Sequence, residues 1–241
     1  LRLTVMKGEE ILAEYDFLRK EWLFANHDHD CSAWQQSLRA FRLASGMECT
    51  GVHPNNPGDI FVISDLHLGH ANIIRYCSRP FLYSMSEEMD SVLIRNWNVV
   101  VSSKTPIYHL GDLSYGKHAH PAEYYMRQLG GEVMYLAGNH DPVTGGADTS
   151  AVIDYLGFRF LLIHDPADVP PGFDGWIIHG HHHNNDLSSF PFLDMKNRRV
   201  NVCAEVAGYV PVPLREICSL ITMKQSSRDM DPVLLRNHIK N

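Results

Sequence analysis

Five polar clusters each follow a short apolar run in this 241-residue sequence. They are Asp65-x-His67, Gly111-Asp112, Gly138-Asn139-His140-Asp141, His164-Asp165 and Gly180-His181-x-His183. Their side chains are imidazoles, carboxylates and one amide, without a cysteine, and this set favours Mn²⁺, Fe or Zn²⁺ over copper or an iron–sulfur cluster. The candidate ligands are too many for one tetrahedral ion. Two ions that share a bridging carboxylate could be bound by all of them.

Two divalent cations about 3.5–4 Å apart can polarise phosphoryl oxygens and lower the pKa of a bridging water. A neighbouring imidazole, with a reference pKa of about 6.5, can protonate the leaving oxygen and contribute roughly 10²–10⁴ in rate. Asn139 would add no charge, so the site keeps more positive charge for an anionic substrate. Phosphate-ester chemistry would explain these residue types.

The elements that must position these clusters alternate along the chain. Short β-like runs carry the clusters at residues 59–65, 106–112, 132–141, 158–165 and 175–183. Helical patterns separate the first three runs, one behind a capping box of Ser84 and Glu87 and one opening at His120-Pro121. Such alternation predicts βαβ units, and the closer spacing of later runs, including 199–206, predicts antiparallel additions to a mixed sheet. Sites in such folds form beyond the carboxyl ends of the strands.

Residues 1–57 differ in pattern from the rest. Apolar residues at helical spacing over 11–22, and again over 34–41, predict two amphipathic helices. The turn-forming residues of 53–58 then mark a boundary. We therefore expect an N-terminal helical segment, 1–57, acting as a cap or interaction surface, followed by a domain over 58–241.

Composition limits the class of protein. A net charge of −7 argues against a broad basic surface for nucleic acid, and no apolar run reaches the length of a membrane span. The five cysteines include no CxxC pair, and the start, LRLTVMKGEE, has no signal-peptide core, so we expect a cytoplasmic protein with reduced thiols. Because position 1 is Leu, the true start is left open.

The ordered series D-x-H, G-D, G-N-H-D, H and G-H-x-H resembles the signature of the calcineurin-like metallophosphoesterases, over residues 59 to about 220. The resemblance implies an α/β fold, an αββα sandwich of two mixed β-sheets flanked by helices, here with the N-terminal helical appendage. It implies two divalent metal ions, with Mn²⁺ favoured and Fe, Zn²⁺, Ni²⁺ or Mg²⁺ as alternatives. It also implies hydrolysis of phosphate mono- or diesters by attack of a metal-bridging hydroxide.

The resemblance gives each position a role. The first ion would be held by Asp65, His67 and His183. The second ion would be held by Asn139, His164 and His181, and Asp112 would bridge the two ions. His140 would serve as general acid or contact the phosphate, and Asp141 would orient it.

A further stretch resembles the stand-alone bacterial and phage-type members of the superfamily: Gly69-His70-Ala71-Asn72 with Arg79-Pro80-Phe81, and Asn201-Val202-x-x-Glu205-Val206-x-x-Tyr209-x-Pro211. Here His70, Asn72 and Arg79 would contact substrate phosphate, although Asn72 could instead cap a helix. Protein phosphatases of the superfamily carry an arginine after the bridging Asp and a Glu after Asn-His, and this sequence has neither. The family often has Gly after its lone metal histidine, where this chain has Asp165. A nucleotide or a short single-stranded nucleic acid remains a candidate substrate.

Two other functions stay open. One is a non-catalytic scaffold or phosphate-ligand sensor on the same fold. The other is an enzyme whose activity is regulated by a partner that binds residues 1–57. Several histidines are interpreted structurally. His109 and His179 would lie behind the site, and the run 27–30 and His118 and His120 would lie in solvated turns or at a helix start. Strand alternation would send His181 and His183 to one side and His182 to the other.

Overall fold

The computed structural model describes residues 2–7, 10–16, 21–24, 58–81, 86–117, 119–141 and 148–229, with the backbone alone described in 2–7, 10–16, 21–24 and 226–229. In chain order, the elements are β1 (Arg2–Lys7), β2 (Glu10–Asp16), β3 (Glu21–Phe24), β4 (Phe61–Ile63), α1 (Ala71–Tyr76), α2 (Ser86–Val100), β5 (Pro106–His109), α3 (Ala122–Met126), β6 (Glu132–Tyr135), β7 (Ser150–Tyr155), β8 (Phe158–Ile163), a 3₁₀ turn (Pro166–Asp168), β9 (Trp176–His179), β10 (Leu193–Asp194), β11 (Arg199–Asn201), β12 (Val212–Pro213) and α4 (Leu214–Asp229). Among these residues, no helix combines the length and hydropathy needed to cross a bilayer.

One sheet has the order β12-β4-β5-β6, in which β4, β5 and β6 run parallel and β12 pairs antiparallel with β4. Helices α1 and α2 connect β4 to β5, and α3 lies between β5 and β6. The predicted βαβ units are therefore confirmed. Since parallel strands place their carboxyl ends at one edge, the residues after β4 and β5 must meet there.

The second sheet has the order β10-β11-β9-β8-β7, with β8, β9 and β11 parallel and the outer strands β7 and β10 antiparallel. Val62 of β4 packs in one buried cluster with Phe160 and Leu162 of β8 and Ile178 of β9, so the two sheets share a core. The predicted α/β fold with two mixed sheets and flanking helices is confirmed.

The helices cover the other face of the first sheet. Phe61 and Ile63, whose side chains alternate with that of Val62, lie in a second buried cluster with Met89 and Trp97 of α2. Successive strand residues point to opposite faces, so a strand buried on both faces needs a continuous apolar run. The three residues of β4 are all buried and supply such a run.

The predicted helix over residues 11–22 is wrong. That segment contributes to β2 and β3, which form an antiparallel sheet with β1 in the order β1-β2-β3. Pairing with neighbouring strands satisfies the backbone of residues 10–16. The predicted helix over 34–41 lies outside the described residues, as do the 27–30 run, Ser84 and His118.

Candidate metal centre

The loops after three strands are joined by hydrogen bonds. The N–H of Asp65 donates to the carbonyl of Gly111 at 3.0 Å, and that of His67 to the carbonyl of Asp112 at 3.0 Å. The second sheet is attached through the N–H of His181, which donates to Oδ2 of Asp65 at 3.0 Å. The clusters after β4, β5 and β9 therefore meet at one edge of the sandwich.

Five of the seven predicted ligands adopt a left-handed backbone conformation. The φ angles are 58° for Asp65, 49° for His67, 58° for Asp112, 71° for His181 and 49° for His183. Residues other than glycine rarely adopt positive φ, and the cost is tolerated where surrounding contacts fix the chain, commonly at functional sites. The local turns point these side chains inward.

Left-handed turns, and not strand alternation, separate the side chains of His181 and His183 from that of His182. β9 ends at His179, so strand alternation does not reach His181 and His183. The left-handed turns direct those two side chains instead. The ring of His182 turns away and stacks on Phe190, with ring centroids 3.5 Å apart and an interplanar angle of 12°.

The three residues predicted for a first ion converge. Nε2 of His183 lies 3.6 Å from Oδ1 of Asp65, and Nε2 of His67 lies 3.8 Å from the same oxygen. Within the described part of the chain, Oδ1 of Asp65 and both ring nitrogens of His67 are buried without a hydrogen-bond partner. Ligand atoms on a tetrahedral ion with bonds of about 2.0–2.2 Å lie roughly 3.3–3.6 Å apart. The donor set thus fits a cation, which would also remove the cost of the unpaired atoms.

The residues predicted to hold the second ion lie beside those predicted for the first. Nδ1 of His164 is 2.8 Å from the carbonyl of Leu110, so this nitrogen can donate and leave Nε2 as the ligand atom. That Nε2 lies 2.9 Å from Oδ1 of Asn139 and 3.4 Å from Nδ1 of His181. His164, for which the following Asp165 departs from the family pattern, therefore joins the group.

Asp112 lies between the two sets. Its Oδ2 is 3.5 Å from Nε2 of His67 and 3.4 Å from Nε2 of His164, while its Oδ1 accepts a hydrogen bond from the N–H of His140 at 2.9 Å. One carboxylate oxygen thus faces a histidine of each predicted ion, which is the position that a bridging ligand requires.

The charges favour a cation at this edge. Burial alone would raise the pKa of Asp65, but the imidazoles of His67, His183 and His164 hold it well below its ordinary value. Burial and the charge of Asp65 raise the pKa of Asp112. Burial would lower the pKa of His183, yet Glu205 and Asp65 raise it to about 11. Two buried carboxylates at close range need positive charge between them.

His140 lies at the solvent side of the site. It is exposed, with its ring 5.6 Å from that of His67 and 4.3 Å from that of Tyr115. The prediction that Asp141 orients this imidazole is not supported by the contacts. Oδ2 of Asp141 instead accepts hydrogen bonds from the N–H groups of Asp112, at 2.7 Å, and Gly138, at 2.8 Å. Asp141 therefore fastens the two loops that carry Asp112 and Asn139.

The predicted substrate contacts separate into two kinds. His70 and Asn72 line an open cleft of about 790 Å³ together with Tyr115 and Lys117. Arg79, in contrast, is 3% exposed, and its guanidinium donates to Glu205 and to the carbonyls of Asp65 and Leu66. A buried guanidinium with these partners does not reach a substrate, so the predicted role of Arg79 is wrong.

Sequence reasoning missed two residues beside His183. Glu205, which is buried, lies with Oε2 3.1 Å from Nδ1 of His183, and the thiol of Cys203 donates to Oδ2 of Asp65 at 3.2 Å. In the sequence, Glu205 stands out only as part of a motif. Its burial and its pairing with Arg79, far away in sequence, give it a role that spacing alone does not reveal.

His109 and His179 are fully buried, and burial lowers the pKa of each to about 4. His109 stacks on Tyr135 and His179 packs against Phe190, outside the converging nitrogens. His120 is exposed and its ring contacts that of Tyr124 in α3. Their surroundings agree with structural roles.

No protein-family model matches this chain. A protein of unknown function from Aquifex aeolicus is similar with a TM-score of 0.49 and 24% identity, covering 68% of this chain and 99% of that one. The phosphoesterase Yfce from E. coli gives a TM-score of 0.35 and 15% identity over 64% of this chain and 81% of that one. An uncharacterized protein of Methanocaldococcus jannaschii is 48% identical over 164 residues, which are 67% of this chain and 90% of that protein. The chain therefore belongs to the same family as this uncharacterized archaeal protein.

Proposed function

We propose that the protein is a dinuclear metal-dependent phosphoesterase that hydrolyses phosphate mono- or diesters. The observation that carries the proposal is the position of Asp112, whose Oδ2 lies within 3.5 Å of Nε2 in both His67 and His164. The first ion would be held by Asp65, His67 and His183, and the second by Asn139, His164 and His181. Mn²⁺ is the ion we favour, because every proposed ligand atom is oxygen or imidazole nitrogen.

Bound divalent cations would polarise a phosphoryl oxygen and lower the pKa of a water molecule. The protein's own contribution is to fix the ligands and to supply a proton. The backbone N–H of His140 is anchored on Asp112, while its exposed ring stays free to face solvent and substrate. An imidazole there can deliver a proton to a leaving oxygen.

The cleft lined by His70, Asn72, Tyr115 and Lys117 is the proposed substrate site. The ring of His70 lies 5.6 Å from that of His67, so the cleft begins next to the proposed ions. Its volume is within the range of about 300–1,000 Å³ that is usual for small-molecule sites. A nucleotide or a short single-stranded nucleic acid would fit this size, and the ammonium of Lys117 suits an anionic ligand.

The decisive experiment measures metal content and ester hydrolysis together. We expect about two equivalents of metal after reconstitution with Mn²⁺, and turnover of p-nitrophenyl phosphate or bis-p-nitrophenyl phosphate. His140→Ala should lower turnover by roughly 10²-fold or more while metal content is retained. Metal-loaded protein that is inert across mono-, di- and cyclic nucleotide esters would overturn the proposal.

A non-catalytic phosphate-binding scaffold is the second candidate. It is favoured by one observation, that Asp141 binds backbone N–H groups and leaves the His140 imidazole unoriented by that carboxylate. In that case, metal-loaded protein would bind inorganic phosphate in calorimetry without hydrolysing any ester. Binding and turnover therefore separate the two functions.

Residues 1–57 are proposed as a separate unit that serves as a cap or interaction surface. Deleting them tests this idea with the same esters. A changed KM would support a cap, whereas unchanged activity and solubility would remove that role.

A further inference from the structure

A closed ring of hydrogen bonds surrounds two of the proposed ligands, Asp65 and His183. Arg79 donates to Glu205, through Nε to Oε1 at 2.7 Å, and Oε2 of Glu205 lies 3.1 Å from Nδ1 of His183. The N–H of His183 donates to Sγ of Cys203 at 3.2 Å, and that thiol donates to Oδ2 of Asp65 at 3.2 Å. Arg79 closes the ring by donating from NH2 to the carbonyl of Asp65 at 2.8 Å.

The contacts in this ring fix the orientation of His183 and Asp65. Glu205 accepts a hydrogen bond from Nδ1–H of His183, which leaves Nε2, the atom facing Asp65, available for a cation. The planar fork of Arg79 holds Glu205 and the left-handed backbone of Asp65 in one geometry. Arg79, Cys203 and Glu205 are 3%, 0% and 1% exposed, so water does not compete for these bonds.

The ligands at the other ion position are more exposed to solvent. Asn139 is exposed, and the side chain of His181 is 33% exposed, with Nε2 3.6 Å from the partly exposed Asp165 carboxylate. The buried member is His164, which is fixed by the carbonyl of Leu110. Two of these three ligands can therefore move into solvent without breaking a buried ion pair.

We infer that the two ion positions are unequal: the position of Asp65, His67 and His183 retains its ion, whereas that of Asn139, His164 and His181 exchanges its ion readily. Arg79 and Glu205 are positioning residues for the retained ion. This inference rests on the proposed dinuclear centre, yet it concerns metal binding and does not require any ester to be hydrolysed.

Equilibrium dialysis of the full chain against graded Mn²⁺, with metal counted by mass spectrometry, tests the inference. The wild type should show one tight and one weak class of ion. Glu205→Gln and Arg79→Lys should raise the Kd of the tight class about 10–100-fold and change the weak class less than about twofold. Arg198→Lys, at an ion pair exposed on both sides, is the matched control and should leave both classes unchanged.

A second pair of variants assigns the classes even if a buried substitution prevents folding. His183→Ala should abolish the tight class, and His181→Ala should abolish the weak class. Two equal classes in the wild type would overturn the inference, as would equal weakening of both classes in folded Glu205→Gln protein. Failure of the phosphoesterase proposal would instead appear as two unequal metal classes without ester turnover.

Discussion

Oδ2 of Asp112 lies 3.4 Å from Nε2 of His164, and the other carboxylate oxygen accepts the N–H of His140. Asp112→Asn keeps the shape and the bond to His140 but removes the negative charge shared by the proposed ions. We expect metal content to fall from about two equivalents to one or fewer, and turnover to fall at least about 10²-fold. Asp174→Asn, at an exposed ion pair, is the control. Two retained ions in Asp112→Asn would show that this carboxylate does not bridge.

Gly180 separates β9 from His181, and a Cβ atom there would collide with Oγ of Ser64 and Oδ2 of Asp65. Both atoms are buried, so Gly180→Ala must displace Asp65 or the loop itself. We expect a loss of about 1–3 kcal/mol in the free energy of unfolding, together with weaker metal binding. Denaturant titration and metal content measure the two effects.

Gly157→Ala separates this collision from backbone strain. Gly157 has a φ of 81° but open space around its Cβ position. The substitution should cost about 1–2 kcal/mol from the left-handed backbone alone and should leave metal content unchanged. If Gly180→Ala binds metal like the wild type, the close approach of Gly180 to Asp65 has no functional consequence.

Sequence periodicity was sufficient to predict that the clusters after β4 and β5 meet. The runs before Asp65 and Asp112 are buried parallel strands, and parallel pairing necessarily brings their carboxyl ends together. The backbone conformation of the turns was not predictable in the same way, because His181, with its positive φ, donates its N–H to Asp65 after a strand of the other sheet.

Arg79 shows why the role of a single residue is harder to predict than a motif. An arginine after a metal motif has the chemistry of a phosphate ligand, but its partner Glu205 lies 126 positions away. Only the fold shows that the two are buried together. Likewise, the apolar spacing over residues 11–22 fits a helix, whereas pairing with β1 and β3 makes residues 10–16 a strand.

Asp90 gives a prediction for the pH dependence of stability. Burial raises its pKa to about 6 from 3.8, against the opposing hydrogen bonds from the Gly69 N–H and the Tyr125 hydroxyl. The folded chain therefore holds this proton more tightly than the unfolded chain. Stability should fall as pH rises from about 4 to about 6, by up to about 3 kcal/mol, and then level off.

The difference between the wild type and Asp90→Asn isolates this effect from other titrating groups. Urea unfolding at several pH values between 4 and 7 measures it. The amide variant should lack this part of the pH dependence, although it also loses one acceptor. Parallel stability curves for the two proteins would contradict the assignment to Asp90.

The thiols of Cys77, Cys203 and Cys218 are buried, and burial is the main cause that raises the pKa of each, in Cys218 to about 11. Because the thiolate is the reactive form, iodoacetamide at pH 8 should modify these residues slowly in the native protein and rapidly in guanidinium chloride. Peptide mass mapping resolves the three sites. Fast native labelling of Cys203 would show that its bond to Asp65 is not maintained.

His181 and His182 are adjacent histidines with different surroundings, and together they form an internal control. Nδ1 of His181 lies 2.9 Å from Oδ1 of Asn139, whereas the ring of His182 stacks on Phe190. His181→Ala should lose one ion and leave the free energy of unfolding of the metal-free protein nearly unchanged, since the side chain is 33% exposed. His182→Ala should retain both ions but lose about 0.5–1.5 kcal/mol of stability from the broken stack. Metal analysis and thermal unfolding of the two variants measure these opposite effects. If His182→Ala lost an ion and His181→Ala did not, the assignment would be wrong, because His182 and not His181 would then be the metal ligand.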